Sequence, residues 1–275
     1  MTAQPTTASA PVPAAPLVEQ DGPLLTIAVS TAAAGNSLAD DAMIEGAAAL
    51  HEVARGERAV GAVLLVGTGN NFCAGGNVKA FAAAEHRPTY LREIADNFHA
   101  FVNALHEANR PVVAAVKGWA AGAGMSTMLH ADVAIGGTST RLRPAYRGIG
   151  LSPDGGLTWT LPRIVGPARA RHIILTDQVI AAEQALAWGL LSEVVADDEV
   201  ESRARAVAAE LAAGPWQSDN NTRALLADSA TRSLADHLAA EARSISALSA
   251  SPEGIEGVDA FVAKRAPDFA AARTR

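Results

Sequence analysis

Short, unbroken apolar runs alternate with longer amphipathic stretches along this chain. Three runs are rich in β-branched residues: 24–30 (LLTIAVS), 60–66 (VGAVLLV) and 111–116 (PVVAAV). Runs of this length, bounded by turn residues, predict buried strands, and 133–136 predicts another. Between them apolar residues recur at three- and four-residue spacing. Met43, Ile44, Ala47, Leu50 and Val53 predict a helix over 38–55; Leu91, Ile94, Phe98, Phe101, Val102 and Leu105 predict one over 90–109. Strands alternating with helices indicate an α/β fold. From residue 183 the pattern is helical: 183–189, 200–213 (stopped by Gly214-Pro215), 221–248 and 254–266. The division predicted is a leader over 1–20, an α/β core over 21–195 and a helical C-terminal region over 196–275. No flexible linker and no repeat of fixed period interrupts it.

Composition narrows the partners. The 275 residues are 49% apolar and 19% charged, ample for a sizeable core. The net charge of −7 argues against nucleic acid or an anionic membrane as main partner. A phosphate-bearing ligand must then be met by local basic residues and backbone amides. Cys73 is the single cysteine, which excludes an internal disulfide and fits a reducing compartment. There is no run of 18 apolar residues. Residues 1–20 lack a basic n-region, and their Ala/Pro/Thr bias reads as a disordered leader rather than a signal peptide. The expected location is the cytoplasm.

The candidate chemistry begins at 110–124, RPVVAAVKGWAAGAG. A strand runs into a turn of small residues (Ala120, Ala121, Gly122, Ala123, Gly124) and then a helix over 125–130. Such a turn leaves backbone N–H groups free at a helix start, where an anion can dock. Three phosphate or nucleophile motifs fail here. Thr127 stands where a dinucleotide fingerprint needs its third glycine, the Gly-Lys-Ser/Thr of a P-loop is missing, and Met128 breaks G-x-S-x-G around Ser126. Alone, the turn reads more readily as close helix–strand packing than as a binding site. A second loop, NFCAGGNVK over 71–79, has the same strand–turn–helix form. Two such turns can aim two N–H groups at one carbonyl oxygen, an oxyanion hole able to stabilise the enolate of a thioester.

These segments resemble the enoyl-CoA hydratase/isomerase (crotonase) family. The resemblance runs over 22–268 and rests on the CAGG loop, the 110–124 segment closed by Asp132, and RGIGLSPDGGLTWTLPRIVG at 147–166. TDQVIAAEQALAWGLLSEVV at 176–195 and AFVAKRAPDF at 260–269 extend it. It implies an α/β fold with a ββα-spiral core, a helical C-terminal trimerisation region and a homotrimer or dimer of trimers. It also implies a coenzyme A thioester as substrate, with no permanently bound cofactor and no metal. The Gly76 and Ala123 N–H groups are its implied oxyanion donors. Ala74, Gly75, Asn77, Gly122, Gly124 and Trp159 are implied contacts to substrate and CoA. Lys79 is expected near CoA phosphate or adenine, and Phe261 and Lys264 against the CoA of a neighbouring subunit.

The chain departs from the family's hydratases at both catalytic glutamates. Ser126 and Ala145 (after Pro144) stand at those positions, and neither can act as a carboxylate base. Asp154, in Ser-Pro-Asp-Gly-Gly, remains. Asp before Gly-Gly also suits a helix N-cap. In isomerases that this chain resembles, above all those acting on phenylacetyl-CoA ring epoxides, the acid/base lies in that loop. One carboxylate suffices for isomerisation, by moving a proton from C2 to C4 of a dienolate. Apolar neighbours would suit that work at neutral pH, and Leu151, Leu157 and Trp159 are at hand. Hydration by a variant mechanism and non-catalytic acyl-CoA binding are the alternatives. Cys73 reads as a compact filler, His99 and His106 as a solvated face or core edge, and His130 as a helix-end dipole contact. Tyr146, Trp119 and Trp159 suggest a bulky apolar pocket or simply core.

Overall fold

The computed structural model describes residues 16–274. Its strands are β1 (Val18–Asp21), β2 (Leu24–Ser30), β3 (Ala62–Gly67), β4 (Val112–Val116), β5 (Trp119–Ala121), β6 (Val133–Gly137), β7 (Arg141–Arg143), β8 (Ile180–Ala181) and β9 (Glu193–Val195). A six-stranded sheet has the order β1-β2-β3-β4-β6-β9, parallel except for the β1–β2 hairpin; a second sheet has the order β5-β7-β8. Successive pairs β4–β5, β6–β7 and β8–β9 each give one strand to each sheet. The first three residues of β1, Val18 to Gln20, are thus paired strand where the sequence reading has leader, because an antiparallel partner lies one turn away. Residues 1–15 of that leader lie outside the described residues.

The helices are α1 (Asp40–Ala54), α2 (Val78–Ala83), α3 (Arg87–Glu107), α4 (Ala123–Met128), α5 (Leu157–Val165), α6 (Pro167–Thr176) and α7 (Ala182–Ala187), followed by α8 (Val200–Ala213), α9 (Trp216–Asp228), α10 (Leu234–Ser249), α11 (Pro252–Val262) and α12 (Phe269–Arg273). The central strands are buried on both faces, as parallel strands covered by helices must be. Val63 and Leu65 of β3 pack with Met43, Leu50, Phe98 and Phe101 of α1 and α3; Ala62, Leu64 and Val66 pack with Ala204, Ala208 and Ala212 of α8. The alanine stripe brings α8 close to the sheet, so this helix, expected in the C-terminal region, belongs to the core by packing.

The helix predicted over 221–248 is divided into α9 and α10. Ser233 starts α10 by accepting from the Asp236 N–H at 3.2 Å, a cap that competes with helix continuation. The last predicted helix runs over Pro252–Val262, with Ser251 accepting from the Gly254 N–H at 3.0 Å and Lys264 at φ +53° turning the chain away. Leu234, Leu238, Ile245, Val258 and Phe261 on α10 and α11 are exposed. No helix among the described residues is long and apolar enough to cross a membrane.

Candidate active site

The two glycine-rich loops meet edge to edge. The Cys73 N–H donates to the Trp119 carbonyl at 3.1 Å and the Ala121 N–H to the Cys73 carbonyl at 2.9 Å, so the 73–76 loop is laced to β5. Beyond the lacing both chains turn in conformations that favour glycine, Gly75 at φ +104° and Gly122 at φ +53°. A Cβ on Gly122 would stand 3.4 Å from the Gly75 Cα. Past this crossing the N–H groups of Gly76 and Ala123 donate to no acceptor among the described residues. Ala123 opens α4, so its N–H is one that a first helical turn leaves unfilled.

Gly76 and Ala123 line one cavity of about 170 Å³. Ala74, Gly75, Asn77, Gly122, Tyr146 and Asp154 line it too, and Phe81, Leu91, Ile94, Phe98, Ile149 and Leu151 give it an apolar wall. Gly124 has a different role. A Cβ there would lie 2.2 Å from the Cys73 carbonyl oxygen, so glycine lets α4 seat against the 73–76 loop. Gly124→Ala should cost about 1–3 kcal/mol, read as a melting temperature lower by about 2–4 °C per kcal/mol.

Asp154 does not cap α5. That helix starts after Gly156, with no side-chain cap. The Tyr146 hydroxyl donates to Asp154 Oδ1 at 2.6 Å. Ser126 Oγ lies 3.2 Å from the Tyr146 oxygen and 3.0 Å from the Asp154 carbonyl oxygen, to which it donates. The Gly155 peptide is held from both sides: its N–H donates to His99 Nε2 at 3.2 Å, and His130 Nε2–H donates to its carbonyl at 2.8 Å. His130 Nδ1 must then accept, and His106 Nε2 lies 3.0 Å from it. Local pattern placed these histidines at a helix face and a helix end; only the packing of α3 and α4 on the 152–156 loop brings them to one peptide.

Burial drives His130 from its usual 6.5 down to about 4, so the ring is neutral at ordinary pH. The unfolded chain takes up this proton near pH 6.5 and the folded chain only near 4, so stability falls as pH drops through that window. The loss attributable to His130 is on the order of 3 kcal/mol. Urea midpoints at pH 7 and 4.5 should therefore differ less for His130→Gln than for the parent protein.

The other expected site residues divide. Asn77 accepts from the Ala80 N–H at 3.2 Å and so caps α2 as well as lining the cavity. Lys79 is exposed on α2 and, like Trp119, lies outside the lining. Trp159 is 55% exposed on α5, beneath the Arg163 guanidinium at 3.8 Å, and lies outside the lining of the cavity. The apolar surroundings of Asp154 come instead from Leu151, and from Leu157 buried below. Phe261, 85% exposed, and Lys264 lie outside the cavity of this chain. Burial pushes the Cys73 thiol up to about 12, which suits a filler and not a nucleophile. Asp40 is a carboxylate at the cavity that sequence reasoning did not single out. Its place in the first turn of α1 and an Asn97 Nδ2 contact at 3.2 Å account for it structurally. Two unfilled N–H groups in a cavity that also holds the Asp154 carboxylate can hold an oxygen that becomes anionic while a proton moves nearby.

The chain matches known proteins over most of its length. The family model described as Enoyl-CoA hydratase/isomerase matches residues 19–272. A Rhodobacter capsulatus protein named "Probable enoyl-CoA hydratase" is 41% identical over 223 residues, 81% of this chain and 84% of that one. The 1,2-epoxyphenylacetyl-CoA isomerase of Escherichia coli is 33% identical over 236 residues, 85% of this chain and 90% of that one. The solved enoyl-CoA hydratase of Polaromonas sp. JS666 superposes with a TM-score of 0.85 at 28% identity, covering 91% of this chain and 97% of that chain. With the crotonase fold and the paired loops in place, the chain belongs to the enoyl-CoA hydratase/isomerase family.

Proposed function

We propose that the protein is an enoyl-CoA isomerase in which Asp154 is the sole acid/base. The acyl thioester lies in the cavity with its carbonyl oxygen between the Gly76 and Ala123 N–H groups. The Asp154 carboxylate removes a proton from C2, and the electrons pass to the carbonyl oxygen as a dienolate held by both donors. The carboxylic acid then returns the proton at C4, and the double bond moves from C3–C4 to C2–C3. The observation that carries this reading is the Asp154 carboxylate lining the same cavity as two unfilled N–H groups, with Ser126 and Ala145 unable to supply the two-glutamate water activation of the family's hydratases. The apolar wall suits a fatty or aromatic acyl group, and a ring-epoxide substrate fits the same proton shuttle. The exposed apolar residues of α10 and α11 support a trimer or a dimer of trimers.

Hydration is a second reading, favoured by the name of the R. capsulatus relative. An ultraviolet assay separates the two. Isomerisation of a 3-enoyl-CoA brings the double bond into conjugation with the thioester and raises absorbance; hydration of a 2-enoyl-CoA removes it. A rise with the 3-enoyl substrate is expected. Loss of absorbance with the 2-enoyl substrate alone would replace the isomerase by a hydratase, and tight binding with neither change would leave a binding protein.

A further inference from the structure

The contact between Tyr146 and Asp154 is more than the proton shuttle itself requires. Tyr146 is 9% exposed, and its oxygen lies 2.6 Å from Asp154 Oδ1 and 3.2 Å from Ser126 Oγ. A phenol has one proton, and the short contact to a carboxylate is the stronger of the two. Ser126 spends its own proton on the Asp154 or the Gly122 carbonyl, at 3.0 and 3.3 Å. No donor among the described residues reaches Asp154 Oδ2.

The backbone that delivers Tyr146 is itself unusual. Ala145 adopts φ +58°, a conformation costly for a residue with a Cβ. Asp177 holds it there: Oδ1 accepts from the Ala145 N–H at 2.7 Å, and Oδ2 pairs with Arg143 at 2.7 Å. That side chain is 8% exposed, so the carboxylate of the clamp is buried while Arg143 reaches solvent. Strain maintained by a buried carboxylate, with the phenol delivered onto a second carboxylate in the cavity, is a costly arrangement for core packing alone.

We infer that Tyr146 is the positioning residue for Asp154: its hydroxyl anchors Oδ1, fixes the carboxylate's orientation and leaves Oδ2 to take and return the proton. This rests on the acid/base reading of Asp154 above. Burial and the adjacent carboxylate push the phenol well above its usual value, so it stays a donor at every working pH. The other titratable groups around Asp154 are His99 and His130 on the Gly155 peptide, and Asp40 and Tyr90 at the cavity.

Two measurements test it. Tyr146→Phe removes one oxygen. It should lower kcat about tenfold with KM within about twofold, as loss of a donor that orients a charged group predicts. A rise in KM that accounts for the loss, or no change at all, overturns the positioning role. Asp154→Asn on the same substrate keeps the two ideas apart, because full turnover there defeats the acid/base reading itself.

The second measurement needs neither turnover nor the Phe variant. The chain has two tyrosines, Tyr90 and Tyr146, so 3-fluorotyrosine labelling gives two fluorine resonances. One should shift as pH falls through the carboxylate range and lose that shift in Asp154→Asn. If neither resonance responds to Asp154→Asn, the contact is absent in solution and the inference fails.

Discussion

Asp154→Asn is expected to lower kcat for a 3-enoyl-CoA by about 10²–10⁴-fold, the range for loss of a positioned acid/base. Affinity for a saturated acyl-CoA should stay within about threefold, because a side-chain change leaves the backbone donors of Gly76 and Ala123 in place. The substitution is nearly isosteric, and asparagine Oδ1 can still accept from the Tyr146 hydroxyl, which lies 2.6 Å away in the parent protein. Loss of turnover with binding and melting temperature preserved would isolate proton transfer. Full turnover would mean that another group moves the proton, and Asp40 is the remaining carboxylate at the cavity.

Ala123→Pro is expected to cost about 10²–10³-fold in kcat by deleting one oxyanion donor. The site tolerates the change better than most helical positions would. Ala123 is the first residue of α4, where no intrahelical bond uses its N–H and where proline's fixed φ suits the helix. Ala123→Gly, which keeps the N–H, should retain most of the activity. Steady-state rates on both variants, with melting curves to confirm folding, give the comparison. Equal loss in both would point to the side chain rather than the donor.

Much of this site is legible in the sequence because it is local. A β-branched run followed by small residues specifies strand, turn and helix within fifteen positions, and the 71–79 loop repeats the form. Where both loops stand in one chain, paired N–H donors are a reasonable expectation. The capping signals were legible too but easily passed over: Ser233 three residues before Asp236 marks the start of α10 inside a stretch whose apolar periodicity reads as one helix.

The surroundings of Asp154 were not legible. Tyr146 lies eight residues before it and Ser126 twenty-eight, and nothing in either segment says that one hydroxyl meets its carboxylate and the other its backbone carbonyl. His99 comes to Gly155 from α3 and His130 from the turn after α4. Trp159, two residues after the buried Leu157 on α5, turns outward because positions two apart on an α-helix lie on different faces.

By itself, then, the sequence determined the strand runs, the two small-residue turns, the lack of both hydratase glutamates and the one carboxylate left in their place. Backbone conformation and residue type are short-range properties, and periodicity reports them. Only the tertiary structure decided that both turns open onto a common cavity, that Asp154 is anchored by Tyr146 rather than capping a helix, and that α8 belongs to the core. Those facts depend on which surfaces of distant segments are buried against one another, and that is settled by packing across the whole chain.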